Sequence, residues 1–289
     1  MDQEFSNQTR IDLRGKLDGQ KSLAQILSVS KTLSQIDLSR NRIGDESAKE
    51  LAVVLSNGES LTEIDFHWNE IGDEGVKALA AALETKRSLK LIDLSHNRIG
   101  VEGAKALAAA LATSKSLTVI DLSYNYISDK GAKSLAATLA ASKSLSQINL
   151  SYNQIGYEGA KALATALATS KTLTLINLSY NNIGDEGAKE LAETMGISKT
   201  LSEIDLSGNR IGNEGARALA AAFSESLTGI NLSSNFIEDE GAIALAAALG
   251  ASKTLTLIDL SWNEIGIKGA KALAAALTTS KSLHEINFS

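Results

Sequence analysis

The sequence predicts an α/β solenoid: a curved array of about ten repeats of 28 residues, with parallel strands on the concave face and α-helices on the convex face. Three observations lead to this prediction. An asparagine recurs along the chain at a fixed interval, apolar and polar residues alternate just before it, and apolar residues fall at helical spacing after it. Self-similarity at a period of about 20–50 residues is typical of repeat architectures.

The repeated asparagine sets the period. It recurs every 28 residues up to Asn209, then after 26 residues at Asn235 and after 28 at Asn263. The shorter interval coincides with the segment SES at 224–226, where other repeats have longer segments such as ATSKS, so the deletion falls in a connection. A side-chain amide can bond the loop backbone of its own and the adjacent repeat, so these residues are predicted to be structural. They are Asn41, Asn69, Asn97, Asn125, Asn153, Asn181, Asn209, Asn235 and Asn263.

Two periodicities divide each repeat into a strand and a helix. Before Asn125, Ile120 and Leu122 alternate with polar residues, which predicts a half-buried strand. After it the apolar spacing becomes helical, and alanine, which has the highest helix propensity, dominates. The apolar helical positions of this repeat are Ala132, Leu135, Ala136 and Leu139.

Stacked repeats of this kind must curve, because neighbouring strands lie about 4.8 Å apart whereas packed helices lie about 8–10 Å apart. We expect one domain over residues 1–289, since a core extended in one dimension does not force a chain of this length to split. Residues 1–32 are predicted to form a degenerate N-terminal capping unit and 33–289 the regular repeats, the last without its helix. The apolar residues of the capping unit are Ile11, Leu13, Leu17, Leu23, Ile26 and Leu27.

The repeat unit carries the motif L-x-x-I-x-L-x-x-N followed by I-G-x-E-G-A-x-x-L-A-x-x-L. From about Leu33 to Phe288 the chain resembles the leucine-rich repeat, in the long-helix, ribonuclease-inhibitor-like class. The resemblance implies a non-catalytic protein-binding scaffold. The regular period and alanine-rich helices are also similar to bacterial members, including secreted effectors that act on host proteins. Mammalian ribonuclease inhibitors are cysteine-rich, and this chain has no cysteine, which argues against ribonuclease inhibition.

The net charge of the chain indicates which kinds of partner it is expected to bind. The chain has 28 Lys and Arg against 34 Asp and Glu, a net charge of −6. This balance argues against binding to nucleic acid or to a membrane surface, and it favours a protein partner with a basic or neutral contact surface. No apolar run reaches the length of a signal peptide or a membrane span. The expected location is the cytoplasm, or a host cytoplasm if the protein is an effector.

A column of polar residues lies four positions before each asparagine. Carboxylates about 4.8 Å apart on neighbouring strands mainly repel one another, and Ca²⁺ requires about six to eight converging oxygens, so no metal site is predicted. The expected role is electrostatic, because acidic residues flank the neutral Asn149 and Asn177 and would steer a basic partner inward. This aspartate column comprises Asp37, Asp65, Asp93, Asp121, Asn149, Asn177, Asp205, Asn231 and Asp259.

Candidate catalytic groups are few. Asp65, His67, Ser39 and Ser95 are expected near one another on adjacent strands, but these serines occupy a position that is serine in most repeats. A serine nucleophile needs a hydrogen-bonded base, an orienting third group and an oxyanion hole. The glycine spacing and lysine of a phosphate-binding loop are missing as well. The sequence therefore predicts neither an enzyme nor a cofactor.

The residue immediately before each repeated asparagine, the variable position, reads Arg40, Trp68, His96, Tyr124, Tyr152, Tyr180, Gly208, Ser234 and Trp262. Because Tyr and Trp are enriched at binding hot spots, we predict a partner-binding surface on the strand-to-loop rim of the concave face. The alternative is that the rings stack between repeats only to stiffen the loops. The predicted site comprises Trp68, His96, Tyr124, Tyr126, Tyr152, Tyr157 and Tyr180, with Asp93, Asp121, Asn149 and Asn177 of the aspartate column.

Two functions fit these predictions. One is a free-standing protein-interaction module, and the other is a targeting fragment of a longer protein whose active domain is absent from this sequence. The segment 281–289 supplies a further strand but no helix to cover Leu283, Ile286 and Phe288. An uncovered apolar edge predicts either further sequence downstream or end-to-end self-association.

Overall fold

The computed structural model describes residues 9–16, 32–57, 60–223 and 225–288. Within these residues the chain alternates between short strands and helices, and each repeat contributes one strand of three residues. The strands are β1 Arg10–Asp12, β2 Gln35–Asp37, β3 Glu63–Asp65, β4 Leu91–Asp93, β5 Val119–Asp121, β6 Gln147–Asn149, β7 Leu175–Asn177, β8 Glu203–Asp205, β9 Gly229–Asn231, β10 Leu257–Asp259 and β11 Glu285–Asn287.

The helices have 9–14 residues, and the seventh is the shortest because its repeat carries the deletion. They are α1 Asp45–Asn57, α2 Asp73–Thr85, α3 Val101–Thr113, α4 Ser128–Ala141, α5 Tyr157–Thr169, α6 Gly184–Met195, α7 Asn213–Ala221, α8 Asp239–Ala251 and α9 Ile267–Thr279. No helix in the described ranges has both the length and the apolar character needed to cross a bilayer.

All eleven strands form one open parallel sheet in chain order. The register advances by one repeat per strand, so equivalent residues lie side by side: Asp93 pairs with Asp121, and Asp121 with Asn149. The helices cover the convex face, and the buried core runs continuously from Ile11 to Leu283. The predicted curved α/β solenoid is confirmed, and the register turns every repeated position into a column across the sheet.

The asparagines form a buried ladder that ties each repeat to the one before it. Asn97 Nδ2 donates to the carbonyl oxygens of Phe66 at 3.0 Å and Leu94 at 3.1 Å, and Oδ1 accepts the Ile71 N–H at 3.0 Å. Equivalent bonds recur along the chain, for example at Asn153 and Asn209. The structural role predicted for the asparagines is confirmed, because these amides satisfy backbone groups where strand turns into loop.

A second inter-repeat bond forms at the helix N-termini. Asp73 Oδ1, at the start of α2, accepts the N–H groups of Gly100 at 2.7 Å and Gly103 at 2.9 Å, at the start of α3. A carboxylate at this place satisfies amides that the helix itself leaves unpaired. The same contacts are made by Asp45, Asp129, Asp185, Asn213 and, to Gly269, Asp239.

Two repeats that are followed by another helix in the described residues have neither aspartate nor asparagine at this place, and the loops after them change conformation. Val101 and Tyr157 occupy the first helical position, and one repeat later Ser128 and Gly184 adopt a left-handed φ of 56° and 64°. Their N–H groups donate instead to backbone carbonyl oxygens of the following repeat, at 2.9 Å in both cases. The start of a helix is therefore stabilised either by an Asp or Asn side chain of the preceding repeat or by a backbone bond to the following repeat. The residue at the first helical position of the preceding repeat determines which of the two forms.

The N-terminal unit is described only in part. Ile11 and Leu13 are buried, and β1 pairs in parallel with β2, so the sheet extends into this unit. Leu17, Leu23, Ile26 and Leu27 of the predicted capping unit lie outside the described residues.

Candidate functional site

The variable position has the same backbone conformation in every repeat. From Arg40 to Trp262 its φ lies between 51° and 63°, in the left-handed region. A non-glycine residue pays about 1–2 kcal/mol for this conformation, so the turn after each strand imposes it whatever the side chain. Because the turn recurs in register, the side chains at the variable position leave the backbone in parallel, outside the core.

Five of these side chains stack into a continuous column, the aromatic ladder of Trp68, His96, Tyr124, Tyr152 and Tyr180. Neighbouring ring centroids lie 4.5, 3.9, 4.0 and 4.4 Å apart, with interplanar angles of 12–17°. Each aromatic pair is worth about 0.5–1.5 kcal/mol beyond its buried area. Stacking between repeats, the alternative considered from the sequence, is therefore present.

Stacking covers the ring faces and leaves the ring edges open. Trp68, Tyr124, Tyr152 and Tyr180 remain 36–52% exposed. The rings hold one another in place, so a partner that meets this edge orders few side chains on binding, and that lowers the entropic cost of association. The same contacts that stiffen the loops thus give a rigid, exposed strip of aromatic edges and hydroxyl groups.

Both ends of the aromatic ladder are closed by residues at the same repeated position. At one end the Arg40 guanidinium carbon lies 5.4 Å from the Trp68 ring centroid, a cation–π contact. At the other end Gly208 follows, and a Cβ added there would lie 2.7 Å from Tyr180 Cδ1, so the Tyr180 ring occupies the space that a side chain would need. Trp262, 80% exposed, is in no ring stack within the described residues.

The aromatic ladder borders an open groove of about 480 Å³ on the rim. Tyr126, which directly follows Asn125 and is 59% exposed, lines this groove together with Tyr124, Tyr152 and Gln154. The structure therefore brings Tyr126 together with the rings of the ladder, as the predicted site requires.

Tyr157 is the exception among the predicted site residues. It is the first residue of α5, and its hydroxyl donates to Glu190 Oε1 of α6 at 3.0 Å, with Lys161 Nζ 3.2 Å from the same hydroxyl. The prediction that Tyr157 lies on the rim beside the other tyrosines is wrong, because the helix begins at this residue and its side chain joins the helix layer. Tyr157 connects two neighbouring helices.

The aspartate column runs beside the aromatic ladder on the concave face. Asp93, Asp121, Asn149 and Asn177 occupy consecutive strands in register, and all are half-buried. Asn149 Nδ2 donates to Asp121 Oδ2 at 2.9 Å. Each Oδ1 atom accepts the N–H two residues further on, as Asp93 does from Ser95 at 2.8 Å. The column changes from acidic to neutral between Asp121 and Asn149, which belong to the same repeats as Tyr124 and Tyr152.

Two aspartates of this column differ in their acidity because their neighbours differ. Burial raises the pKa of the Asp93 carboxyl, and the hydrogen bonds from Ser95 do not offset it. Burial also opposes ionisation of Asp37, but hydrogen bonds from Ser39 and Arg14 outweigh it, so the pKa of Asp37 lies below its ordinary value. In the ladder, burial lowers the pKa of His96, and the nearby His67 lowers it further.

The candidate catalytic groups do come close to one another. One ligand atom from each of Asp65, His67 and Asp93 lies within 4.8 Å of the others, and His67 Nδ1 is 2.7 Å from Asp65 Oδ1. The Ser39 hydroxyl, however, donates to Asp37 Oδ1 at 2.6 Å rather than to the imidazole. Asp65 and His67 therefore form an Asp–His pair on the concave face. The Ser39 hydroxyl is bonded to Asp37 and not to this pair.

Comparison with known families gives one extensive match. A sequence model described as a leucine-rich repeat matches more than half of the chain in nine segments. No curated protein matches the sequence. The segments are 29–52, 59–80, 85–108, 113–136, 141–164, 169–192, 198–220, 223–246 and 251–274.

Solved structures with a similar fold have low sequence identity to this chain. An internalin, InlF, from Listeria monocytogenes is 18% identical, with a TM-score of 0.48 over 99% of this chain and 89% of that chain. The structure of leiomodin-1 actin-binding site 2 is 20% identical, with a TM-score of 0.41 over 46% of this chain and 79% of that chain.

Proposed function

The chain belongs to the leucine-rich repeat family, and we propose that it is a non-catalytic scaffold that binds a protein partner through the aromatic ladder and the neighbouring concave face. Leucine-rich repeat proteins generally mediate protein–protein interactions, and solenoids of this kind present extended concave binding surfaces. The proposed contact surface comprises Trp68, His96, Tyr124, Tyr126, Tyr152 and Tyr180, with Asp93, Asp121, Asn149 and Asn177 beside them.

One observation carries this proposal: the fold does not require aromatic residues where the ladder stands. Arg40, Gly208 and Ser234 occupy the same repeated position with the same left-handed backbone conformation. Five consecutive rings at a position that tolerates glycine and serine therefore represent a local property of this surface rather than a requirement of the repeat. Exposed Tyr and Trp at rigid positions are the residues that most often dominate binding energy.

The charges beside the aromatic ladder indicate the chemistry of the partner. Asp93 and Asp121 lie on one side of the contact region, and Asn149 and Asn177 continue the column without charge. A partner with a basic segment flanking a neutral one would match this sequence of side chains. Electrostatic attraction of this kind acts mainly on the association rate and weakens with added salt.

The test begins with peptides selected for binding to the wild-type protein from a random display library. Tyr124→Ala, Tyr152→Ala and Tyr180→Ala should each weaken binding of most selected peptides by about 1–4 kcal/mol, as truncation of interface anchors does. Tyr157→Ala is the matched control, an exposed tyrosine in the helix layer, and should leave affinity unchanged. A set of peptides insensitive to all three ladder variants would refute the proposal.

The repeat resembles particular classes of leucine-rich repeat protein, and this resemblance supports a more specific proposal. Helices of 9–14 residues on the convex face fit the ribonuclease-inhibitor-like class, and the alanine-rich 28-residue unit resembles bacterial members that act on host proteins. We accordingly propose a bacterial effector acting in a host cytoplasm. Affinity purification from host and bacterial lysates in parallel, with the Tyr152→Ala variant as control, distinguishes a host partner from a bacterial partner. Ladder-dependent capture from the bacterial lysate alone would contradict the effector proposal.

We also propose end-to-end self-association through β11. Phe288 is 38% exposed, and Ile286 is only half-buried, on the outermost strand of the sheet. An exposed strand edge beside apolar side chains is a template for pairing with another chain. Ile286→Ser combined with Phe288→Ser should lower the apparent mass measured by light scattering at high concentration. A wild-type protein that is already monomeric under those conditions would rule this association out.

A further inference from the structure

The concave face has a depression at β9, where one repeated position is occupied by glycine and therefore has no side chain. Two positions before the aspartate column, each strand presents a residue to the concave face, and at β9 this residue is Gly229. The space is about 390 Å³ and is lined by Leu175, Glu203, Asp205, Gly229 and Leu257. We call this set the Gly229 socket. Among the described strands Gly229 is the one residue at this position without a side chain, so the socket is a local departure from the repeat.

The walls of the Gly229 socket combine apolar surface with negative charge. Leu257, 37% exposed, stands on the strand beside Gly229, with Glu203 on the strand at the other side. A Cβ added at Gly229 would lie 3.4 Å from Glu203 Cγ, so the glutamate side chain borders the opening. Asp205, two residues after Glu203, brings a second carboxylate to the same strand. A long side chain with an aliphatic stem and a cationic end fits such walls.

The protein itself contains an arginine–aspartate contact in the same column at the other end of the sheet. Arg14 donates from Nε at 3.2 Å and from Nη2 at 2.6 Å to Asp37 Oδ2, while Asp37 Oδ1 accepts from Ser39. Asp205 occupies the equivalent position on β8 and has the same local arrangement. Its Oδ1 accepts the N–H of Ser207 at 2.9 Å and the hydroxyl of Ser207 at 2.7 Å. The Arg14–Asp37 pair therefore shows how a guanidinium group approaches an aspartate of this column.

We infer that the Gly229 socket binds an arginine side chain of the protein partner, with its stem over Gly229 against Leu257 and its guanidinium between Glu203 and Asp205. Arginine fits better than lysine because its planar fork can bond two carboxylates at once. This inference rests on the proposed function, since it identifies the chemistry of one partner residue. The socket lies near the end of the aromatic ladder, because Glu203, Asp205 and Gly208 belong to the same repeat.

The experiment uses small probes, so it does not depend on an identified partner. Isotope-labelled full-length protein is titrated with Nα-acetyl-arginine methylamide, and amide shifts are followed by NMR. The neutral isostere Nα-acetyl-citrulline methylamide and the lysine analogue are titrated in parallel. We expect saturable shifts centred on Gly229, Glu203 and Asp205 with the arginine probe. Equal responses to citrulline or to lysine would overturn the assignment.

Three variants locate the binding site, and the repeat itself shows that each one fits the fold. Gly229→Leu places leucine where Leu175 and Leu257 already stand, and it should abolish the response. Glu203→Gln combined with Asp205→Asn should weaken probe binding about fivefold, as expected for one exposed and one half-buried charge contact. The matched control, Glu63→Gln with Asp65→Asn, changes the same positions on β3 beside Leu91 and should have no effect.

The result separates this inference from the proposed function. If the arginine probe binds normally but the ladder variants keep full affinity for the selected peptides, the proposed function fails and the socket survives as a cation site. If ladder variants lose peptide affinity while Gly229→Leu leaves the arginine response unchanged, the assignment of the socket is refuted and the proposed function stands.

Discussion

Two columns of the molecule, one residue apart along the chain, behave in opposite ways. Asn125 belongs to the asparagine ladder, is 3% exposed and has its amide fully bonded within the loops. Tyr124, directly before it, is 42% exposed, and its ring stacks on its two neighbours in the aromatic ladder. Both columns are repeated with the same period. Repetition alone therefore does not distinguish a structural residue from a candidate binding residue, whereas burial and bonding do.

The variation at the two columns follows from this difference. The asparagine column accepts no other residue among its nine members, because each amide must donate to carbonyl groups and accept an N–H at the same time. The variable position contains arginine, tryptophan, histidine, tyrosine, glycine and serine, all with one backbone conformation. The loop thus fixes the backbone conformation at this position, while the type of side chain varies from repeat to repeat.

The largest effect is expected from the asparagine ladder. Asn125→Ala leaves the Ile99 N–H without its bond at 2.9 Å, and it removes one of two amide donors from each of the carbonyl oxygens of Leu94 and Leu122. One buried N–H left unpaired costs about 1–3 kcal/mol and each of the two lost hydrogen bonds about 0.5–1.5 kcal/mol, so the free energy of unfolding should fall by about 3–5 kcal/mol in urea denaturation. Tyr124→Ala is the matched control and should lose about 1–2 kcal/mol from two stacking contacts. Similar losses for both variants would erase the distinction between the columns.

A smaller effect should come from the aspartates at the helix N-termini, which are structural although charged and partly exposed. Asp73→Ala removes the acceptor for Gly100 and Gly103 and should lower the free energy of unfolding by about 1–2 kcal/mol, as loss of a helix cap does. Asp73→Asn is the control, because Asn213 accepts the equivalent two N–H groups of the repeat that follows it, those of Glu238 and Gly241. If the alanine and asparagine variants unfold alike in urea, the capping role of Asp73 is wrong.

The smallest effect concerns Asp93, which lies in the proposed contact surface and whose pKa burial raises. A carboxyl with a raised pKa in the folded state favours folding when protonated, and this contribution is lost as the pH rises through the raised pKa. Asp93→Asn should therefore raise the free energy of unfolding by about 0.5 kcal/mol at pH 7. Asn149 and Asn177 show that asparagine fits this column.

The pH dependence provides the control for that variant. The difference in the free energy of unfolding between Asp93→Asn and wild type should shrink as the pH falls through the raised pKa of Asp93, and it should level off below about 4, where the aspartate is protonated in both folded and unfolded chains. Urea denaturation at several pH values measures it. A variant that is less stable than wild type at pH 7 would show that the Asp93 carboxylate is stabilising after all.

Much of the architecture could be predicted because the same sequence pattern occurs in each repeat. The alternation around Ile120 and the helical spacing from Ala132 to Leu139 are local signals, and ten copies remove the ambiguity of one. The role of Asn97 and its equivalents was predictable for the same reason, since an amide at the end of every strand has few other partners. The parallel register followed from the constant period, and it placed Trp68 to Tyr180 in one column.

Other features depend on contacts that local patterns do not contain. Asp73 bonds backbone groups 27 and 30 residues later, so its capping role appears only once two repeats are placed side by side. Tyr157 was assigned to the rim because it follows Asn153 by four residues, but α5 begins there and carries the ring into the helix layer. The signal that could have corrected this was available: Tyr157 stands where Asp45 and Asp73 begin their helices.

The most direct test compares two adjacent residues, Tyr152 and Asn153, in one set of measurements. For Tyr152→Ala and Asn153→Ala, the free energy of unfolding and the affinity for the selected peptides are measured under conditions in which both variants remain folded. We predict that Tyr152→Ala loses at least about tenfold in affinity with a modest loss of stability. Asn153→Ala should lose several kcal/mol of stability, about 3–5, and keep its affinity. Unchanged affinity for Tyr152→Ala together with a large loss of its stability would contradict the account.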